Sequence, residues 1–226
     1  WINTSRNGLT ICDATSAAFA MDIDWQKLDV GTFSWQKCLG GEAGHGILVL
    51  SPKAVERINT YNPPWPIPKL FQLRKNGKLN FDIFSGATIN TPSMLCVEDF
   101  LDALKWTREV GGLSALISKS KNNLNIIKNW ISDSHWADFL CEDFNNLSST
   151  SICLKLVDPK LIDLPSEIKN NVEKNIVKLL EDHKVAFDIG SYRSAPPGFR
   201  IWGGPTVEND DVKNLLPWLD WAYYET

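Results

Sequence analysis

The stretch Thr32–Gly46, TFSWQKCLGGEAGHG, places one lysine, Lys37, between a short apolar run and a glycine-rich loop. At such a position a side chain loses water on one side, and the glycine backbone can approach a ligand closely. Burial disfavours the charged form of an amine, and the neutral amine is the form that attacks aldehydes. The alternative interpretation is a surface lysine that follows a strand, because most lysines are exposed.

Asp13 lies 24 residues before Lys37, and each of the two follows a predicted strand. The first strand is expected over Leu9–Cys12 and the second over Leu28–Trp35. In an open α/β sheet the carboxyl ends of the strands meet at the crevice that holds the ligand. An aspartate and a lysine there suit a pyridoxal cofactor, because the carboxylate keeps the pyridine nitrogen protonated while the amine binds the aldehyde. The alternative for Asp13 is an ordinary turn or capping aspartate.

The first half of the chain reads as strands followed by an extended arm. A third apolar run, Gly46–Pro52, predicts another strand, and unbroken runs of this kind indicate a sheet covered on both faces. Four prolines in Thr60–Pro68 exclude regular structure there. The pair Asn76 and Gly77, between apolar flanks, predicts a β-hairpin. Residues 60–86 are therefore expected to form a hairpin arm on the surface.

Two amphipathic helices are expected after the arm. Thr91 is expected to cap the first helix, with Pro92 in its first position, and the pair Gly111 and Gly112 separates it from the second. Apolar residues at helical spacing are expected to form the buried stripes of the two helices, namely Leu95, Phe100, Leu101, Leu104, Leu113, Leu116, Ile117, Leu124, Ile127 and Ile131.

Beyond about residue 133 the pattern predicts a compact α+β unit. Strands are expected at 151–158, 185–190 and 198–203, and helices at 166–183 and from Asn209, which is expected to cap the last helix. The chain is therefore predicted to divide into residues 1–115, part of a large α/β domain, and residues 116–226, a small α+β domain.

The composition of the 226 residues, with 43% hydrophobic and 22% charged, is that of an ordinary globular protein. A net charge of −4 without a basic stretch argues against nucleic-acid binding, and no apolar run is long enough to cross a bilayer. Five cysteines without Cys-x-x-Cys spacing indicate reduced thiols in the cytoplasm. Acids and histidines do not cluster at ligand spacing, so no metal site is expected.

Three separated motifs resemble the phosphoserine aminotransferase family. They are DATSA at Asp13–Ala17, SWQK at Ser34–Lys37 before a pair of glycines, and NTPS at Asn90–Ser93. The resemblance extends from the first residue to the final WLDWAYY, and the motifs follow one another in the family's order. It implies an α/β architecture, fold type I of the class V pyridoxal-phosphate enzymes, with an incomplete, mostly parallel large-domain sheet and a small C-terminal α+β domain.

The resemblance also implies roles for individual residues. Lys37 corresponds to the Schiff-base lysine, Asp13 to the partner of the pyridine nitrogen, and Gln36 to a residue that contacts the cofactor. Asn90 and Thr91 correspond to a pair that reaches the cofactor phosphate of the neighbouring subunit in a homodimer. A helix that begins at Thr91 would also present free N–H groups to a phosphate. The alternative for this pair is helix capping alone.

Two of the six arginines, Arg193 and Arg200, lie between predicted strands in GSYRSAPPGFRIW. Arginine binds carboxylate and phosphate through its planar fork, which suits a substrate that carries both groups. By resemblance, Arg200 binds the substrate α-carboxylate and Arg193 lies near its phosphate; without the resemblance, either could be a surface ion-pair partner. His45 is expected to make only a local hydrogen bond in its loop.

The implied reaction transfers the amino group of glutamate to 3-phosphohydroxypyruvate, which gives phosphoserine and 2-oxoglutarate in serine biosynthesis. The chain resembles only the later part of a family member. The N-terminal half is therefore expected on another chain or missing, and the isolated polypeptide is expected to be inactive. Two alternatives remain open: another class V aminotransferase of the serine– or alanine–glyoxylate type, and a non-catalytic piece that serves dimerisation or binding.

Overall fold

A computed structural model describes residues 2–226, and the chain forms two units. The first unit extends to Ala18 and continues with Asp22–Trp106, and the second contains Phe19–Met21 and Thr107–Thr226. The division falls inside one helix, α2 (Met94–Glu109), whereas the predicted domain boundary lies between residues 115 and 116.

The first unit contains a three-stranded sheet. Its strands are β1 (Ile11–Asp13), β2 (Val30–Phe33) and β3 (Ile47–Leu50), in that order, and each lies in an apolar run that predicts a strand. β1 and β2 are parallel, whereas β2 and β3 are antiparallel. The segment between β2 and β3 contains no helix to carry the chain back across the sheet, so the chain reverses direction there. Within the described residues the sheet is therefore mixed.

Helix α1 (Pro52–Thr60) follows β3 at once and has no counterpart in the sequence prediction. Ser51 caps it, because its Oγ accepts a hydrogen bond from the N–H of Ala54 at 3.1 Å. The same hydroxyl donates to Oδ1 of Asp29 at 3.1 Å, which fixes the cap beside the sheet. The predicted strand 46–52 is therefore wrong at its last residues, where the chain has already turned into a helix.

The predicted hairpin is confirmed. It consists of β4 (Arg74–Lys75) and β5 (Lys78–Leu79), which are antiparallel. The loop residues Asn76 and Gly77 have φ values of 53° and 79°, as the tight two-residue turn of a right-twisted hairpin requires. The hairpin is fastened to α1, because Leu79 is buried and its N–H donates to Oδ1 of Asn59 at 2.7 Å.

Helix α2 begins at Met94, later than predicted. Ser93 provides the cap: its Oγ accepts a hydrogen bond from the N–H of Cys96 at 3.4 Å, and its carbonyl accepts one from Val97 at 3.1 Å. The prediction that Thr91 caps this helix is therefore wrong, because the cap lies two residues further along the chain.

The apolar stripe predicted for α2 is only partly buried. Phe100 packs against Trp35, and Cys96 is buried against Gly44. Leu95 and Leu101, in contrast, are 69% and 51% exposed, so their predicted burial is wrong. The predicted burial is therefore right for Phe100 and wrong for these two leucines.

The second unit is an antiparallel sheet packed against helices. β7 (Ser151–Leu156) lies between β6 (Ala137–Phe139) and β8 (Gly198–Trp202). The helices are α3 (Gly112–Asp133), α4 (Pro159–Ile162), α5 (Ser166–Asp182) and α6 (Asn209–Tyr224). Fully buried side chains from both layers form the core, among them Ile127, Trp136, Phe139, Ile152, Leu154, Ile176, Leu180, Phe199 and Leu219. The α+β prediction for this part of the chain is confirmed.

Two local predictions for the second unit are wrong. Residues 185–190 form no strand, and only Gly190 makes a β-bridge, to Phe199. Asn209 is the first residue of α6 and not its cap, because Glu208 occupies the cap position. The Nδ2 of Asn209 donates instead to Oδ1 of Asn123 at 2.6 Å. No helix in residues 2–226 is both long enough and apolar enough to span a bilayer.

Candidate active site

Asp13 and Lys37 follow neighbouring parallel strands of the first unit. Asp13 is the last residue of β1, opposite Thr32, and Lys37 lies shortly beyond the end of β2. The N–H of Ala14 donates to the carbonyl of Thr32 at 2.7 Å. A further hydrogen bond, from Cys38 Sγ to the carbonyl of Ser16 at 3.5 Å, joins the lysine loop to the turn after Asp13. The two predicted residues therefore lie at the carboxyl ends of two neighbouring parallel strands.

The carboxylate of Asp13 is held by the residue two positions further on. Its Oδ1 accepts hydrogen bonds from the N–H of Thr15 at 3.0 Å and from its hydroxyl at 2.6 Å. These two donors, the hydroxyl first, lower the pKa of Asp13, although partial desolvation opposes them. Both bonds end on Oδ1, so Oδ2 is the oxygen that can accept a hydrogen bond from a ligand while the group stays ionised.

The loop that carries Lys37 is built around the buried side chain of Trp35. The indole stacks on Phe100 of α2, with ring centroids 4.5 Å apart and planes at 19°. The N–H of Gly41 donates to the carbonyl of Trp35 at 2.9 Å, and that of Gly40 to the carbonyl of Lys37 at 3.1 Å. A Cβ at Gly41 would lie 2.7 Å from the indole, so only glycine allows this packing. Packing thus fixes the backbone that carries the half-buried lysine.

Two buried polar atoms in this loop have no hydrogen-bond partner among the described residues. They are Oε1 of Gln36 and Nε1 of Trp35. A buried polar group without a partner costs about 1–3 kcal/mol, so such atoms mark places where a ligand or a water can complete the structure. The Gln36 amide is adjacent to Lys37, where the family resemblance expects a cofactor contact.

The thiol of Cys38, next to Lys37, is unreactive at neutral pH. Cys38 is buried, and desolvation raises the pKa of its thiol to about 12, although the Cys38 backbone and the neighbouring Lys37 charge act in the opposite direction. The thiolate is the reactive form of cysteine, so this side chain stays protonated and inert at neutral pH. Cys38 therefore does not compete with Lys37 as a nucleophile.

His45 connects the lysine loop to the beginning of α2. Its Nε2 accepts a hydrogen bond from the N–H of Ser93 at 2.8 Å, across 48 residues, so the prediction of a local bond is wrong. The segment that contains Asn90 and Thr91 is thereby held near the loop. Asn90 and His45 border a cavity of about 500 Å³ that Arg74 also lines. Thr91 is exposed and precedes the helix, so it does not present a helix N-terminus to this cavity.

Arg193 and Arg200 belong to the second unit. Arg200 lies in β8, its Nη2 is 3.2 Å from Oδ2 of Asp188, and the ring of Tyr192 lies 4.2 Å from its Cζ. Arg193 is exposed in the loop before β8. The contact with Asp188 is an ion pair of the kind that the alternative interpretation of these arginines anticipated. In residues 2–226, no three His, Cys, Asp or Glu side chains are grouped to hold a metal ion.

Sequence reasoning missed three partners of the predicted residues. Thr15 could have been found, because a threonine two positions after an aspartate is a common turn motif with this hydrogen bond. The supporting role of Trp35 depends on its contact with Phe100 of α2, and the sequence gives no signal for that contact. The stacking of Tyr192 on Arg200 depends on the path of the intervening loop, for which periodicity gives no signal.

Comparison with known proteins narrows the interpretations that the sequence left open. No protein-family model matches the chain. The phosphoserine aminotransferase of Methanosarcina mazei is 54% identical over 223 residues, which are 99% of this chain and 58% of that protein. The predicted resemblance to the phosphoserine aminotransferase family is therefore confirmed over nearly the whole chain. The enzyme of that name from Methanosarcina barkeri has the same identity and coverage, so the chain spans 58% of the length of both relatives.

Solved structures of the family share the fold. The phosphoserine aminotransferase of Bacillus circulans subsp. alkalophilus matches with a TM-score of 0.72 and 20% identity, covering 98% of this chain and 54% of that one. The pyridoxal-phosphate-bound enzyme of Trichomonas vaginalis matches with a TM-score of 0.74, 17% identity and coverages of 96% and 55%. The prediction of fold type I is therefore confirmed. An alanine–glyoxylate aminotransferase from Nostoc also matches, with a TM-score of 0.70, so the fold alone does not select the substrate.

Proposed function

We propose that this chain contributes the lysine side of a pyridoxal-phosphate site and acts in the transfer of an amino group from glutamate to 3-phosphohydroxypyruvate. The observation that carries the proposal is the parallel pairing of β1 and β2, which attaches Asp13 and Lys37 to one edge of the sheet. The relatives that share 54% identity support this substrate pair over the alternatives. Phosphoserine and 2-oxoglutarate are the products.

The residues present suit the cofactor. Asp13 has its pKa lowered by the Thr15 hydroxyl and N–H, and it has an oxygen that can accept from a pyridine N–H. Gln36 carries a buried Oε1 without a partner among the described residues. When bound, pyridoxal phosphate supplies a conjugated ring that accepts the electron pair left as a Cα–H bond breaks. Asn90 and Thr91 are proposed to reach the phosphate of a neighbouring subunit's cofactor.

Each side chain then has a distinct task. Lys37 would hold the cofactor through Nζ and, once released, move a proton to and from the substrate Cα. Asp13 would keep its negative charge beside the ring nitrogen throughout. The inert thiol of Cys38 and the hydrogen bond that occupies Nε2 of His45 leave Lys37 as the proton-transfer group of this loop.

The substrate groups are assigned to the arginines of the second unit. Arg200 would bind the α-carboxylate through its planar fork, and Arg193 would lie near the phosphate of phosphoserine. Residue Arg200 is held on both sides by Tyr192 and Asp188, which supports a fixed guanidinium. For Arg193 the support is its place in the exposed loop before β8.

We also propose that the working protein is a cytoplasmic homodimer. Apolar side chains exposed on α2 and on the arm support an interface between subunits, because monomeric proteins rarely expose large apolar patches. The most exposed of them are Trp65, Leu70, Phe71, Phe81, Met94 and Leu95.

Reductive labelling tests the lysine assignment without requiring turnover. The full chain is incubated with pyridoxal phosphate, reduced with borohydride, digested, and mapped by mass spectrometry. We expect the stable adduct to concentrate on Lys37 and to disappear in Lys37→Arg. The matched control is Lys27→Arg, which alters an exposed lysine paired with Asp24 and should leave the labelling unchanged.

Two results would contradict the assignment. One is an adduct spread evenly over the surface lysines, and the other is unchanged labelling of the Lys37→Arg chain. Substrate choice is tested separately by adding phosphoserine, serine or alanine to the pyridoxal-phosphate-loaded protein and following the visible spectrum. Phosphoserine should change the spectrum fastest; a preference for alanine or serine would support a glyoxylate-type enzyme instead.

A further inference from the structure

A buried carboxylate on α5 holds both ends of the loop that carries the predicted substrate arginine. Glu173 is 6% exposed. Its Oε1 accepts hydrogen bonds from the N–H of Ser191 at 2.7 Å and from the Ser191 hydroxyl at 2.6 Å. Its Oε2 accepts one from the N–H of Gly198 at 3.0 Å. One side chain thus satisfies three donors that lie at the start and the end of residues 191–198.

The base of this loop is fixed by the sheet as well. Gly190 bridges to Phe199, and the N–H of Arg200 donates to the carbonyl of Ile189 at 2.7 Å. Gly198 passes so close to β7 that a Cβ there would lie 2.0 Å from the carbonyl oxygen of Leu154. The loop therefore leaves and re-enters the sheet at fixed points, and Glu173 closes it between them.

The loop supplies the aromatic ring that contacts Arg200. The Tyr192 ring lies 4.2 Å from Cζ of Arg200, a distance at which a guanidinium is attracted to the ring face. On another side, Nη2 of Arg200 is 3.2 Å from Oδ2 of Asp188. The Nε of Arg200 is buried and has no hydrogen-bond partner among the described residues. The Nε–H of Arg200 is therefore an unused donor on a guanidinium whose orientation Tyr192 and Asp188 already fix.

We propose that Glu173 is a positioning residue for Arg200: it fixes residues 191–198 so that Tyr192 holds the guanidinium plane ready for a carboxylate ligand. The inference rests on the proposed function, which assigns a substrate carboxylate to Arg200. A guanidinium binds a carboxylate through two parallel N–H bonds, so the orientation of its plane decides whether both can form. Without Glu173 the loop ends lose their common acceptor, and the ring of Tyr192 loses its fixed place.

Arginine side-chain NMR of the full chain tests this directly. The chain has six arginines, so the Nε–H resonance of Arg200 can be assigned from the Arg200→Lys spectrum. The Tyr192 ring should shift that resonance upfield in the wild type, and Tyr192→Leu should remove the shift. Glu173→Ala should displace the resonance in the same direction as Tyr192→Leu, whereas Glu167→Gln, an exposed change on the same helix, should not.

Titration with glutarate, a dicarboxylate that cannot react, measures the consequence for binding. We expect Glu173→Ala to raise the Kd for glutarate, measured from the Arg200 resonance, about tenfold, which is the effect of losing one well-oriented hydrogen bond. Glu173→Gln keeps one acceptor oxygen and should lie between Glu173→Ala and the wild type. If Glu173→Ala fails to fold, Ser191→Ala removes one donor, leaves the backbone bonds, and should displace the Arg200 resonance in the same direction by less.

The outcomes separate the two proposals. An Arg200 resonance and a glutarate affinity that stay at their wild-type values in folded Glu173→Ala, or in Ser191→Ala where that is the variant available, would overturn the positioning role. If glutarate does not shift the Arg200 resonance of the wild type, while Glu173→Ala still displaces that resonance, the positioning role stands and the substrate role assigned to Arg200 is refuted.

Discussion

At the scale of single residues, the pKa of Asp13 depends on its neighbour Thr15. The hydroxyl and N–H of Thr15 stabilise the ionised carboxylate and so lower the pKa of Asp13. A carboxylate at a pyridine nitrogen must stay ionised through the reaction, which this arrangement secures before any ligand binds. The two hydrogen bonds that lower this pKa come from the residue two positions further on, so they require no long-range contact.

Replacing Thr15 by valine, which has the same shape, removes the stronger of the two donors. We expect the pKa of Asp13 to rise part of the way back to its usual value, because the N–H bond remains. Since the folded pKa lies below the unfolded one, the stabilisation from this group is present at neutral pH and is lost as the pH falls through the folded pKa. Thr15→Val should therefore lose less stability on acidification than the wild type.

Carbon-13 NMR of the side-chain carboxyls in an acid titration checks this. Asp29, which bonds to Arg6 and Thr10, serves as the internal reference and should titrate as in the wild type. An Asp13 titration that is the same in both proteins would show that the Thr15 hydroxyl does not act on it.

The residues themselves were easier to predict than their partners. Lys37 and Asp13 could be placed at strand ends because both follow apolar runs whose ends are visible in the sequence. His45 was misjudged because the bond from Ser93 to its ring spans 48 residues and follows from the fold. Thr91 was misjudged because Ser93, two residues further along, provides the cap instead. The family resemblance suggested roles, but it could not supply such contacts.

At the scale of elements, the hairpin carries a strong local signal in the sequence, and the signal for helix α1 is easier to overlook. Asn76 and Gly77 dictate a turn by their own backbone preferences, so the hairpin could be predicted without the rest of the molecule. Helix α1 also carries a local signal, which the sequence prediction overlooked, because Ser51 and Pro52 are a common cap and first residue of a helix. The bond from Ser51 to Asp29, in contrast, depends on the fold. The same holds for residues 185–190, whose apolar pattern suits a strand but which make only one β-bridge.

The hairpin turn should be sensitive to a single methyl group. Gly77 has a φ of 79°, so Gly77→Ala is expected to lower the free energy of unfolding by about 1 kcal/mol. The control is Gly8→Ala, where no atom lies within 4 Å of the added Cβ, and the expected change is below about 0.5 kcal/mol. Urea unfolding of both variants gives the comparison; equal effects would mean that the turn is not in the strained conformation.

A polar network fastens α6 to the turn that follows β7. The Tyr223 hydroxyl donates to Asp158, which also caps α4 by accepting from the N–H of Lys160 at 2.7 Å. These donors, Tyr223 first, hold the pKa of Asp158 below its usual range. The Tyr223 ring stacks on Trp136, with ring centroids 4.4 Å apart.

Tyr223→Phe keeps the stacked ring and removes the donor, so it should lower the melting temperature at neutral pH. The difference from the wild type should shrink in acid, because protonation of Asp158 weakens a hydrogen bond that the wild type makes and the variant lacks. Thermal unfolding followed by circular dichroism at several pH values measures this, with Tyr224→Phe as the control for an exposed tyrosine. A difference that does not change with pH would argue against a role for ionised Asp158.

At the scale of the whole molecule, the sequence predicted the architecture. The resemblance to one family covered the chain, and the relatives and solved structures support it over 95% or more of its length. The domain boundary expected at residues 115 and 116 stays a prediction, and the division between the two units falls at residues 106 and 107, inside a continuous helix. No proline, glycine or polar linker marks it, and those are the signals that composition provides.

The proposed homodimer makes a whole-molecule prediction. Sedimentation should give twice the mass of the chain, and Leu95→Lys with Leu101→Lys should shift the equilibrium toward the monomer, because a lysine loses its hydration in an apolar interface. Leu113→Lys alters a comparably exposed leucine on α3 and should leave the mass unchanged. A monomeric wild type, or equal dissociation in the control, would count against an interface at α2.

Gly198 has a consequence for how this gene can vary. Its hydrogen atom faces the carbonyl of Leu154, and any larger substituent would occupy the space of that oxygen. A library that randomises this codon should return glycine alone among folded clones, whereas the codon of the exposed Arg193 should accept many replacements unless selection for activity is applied.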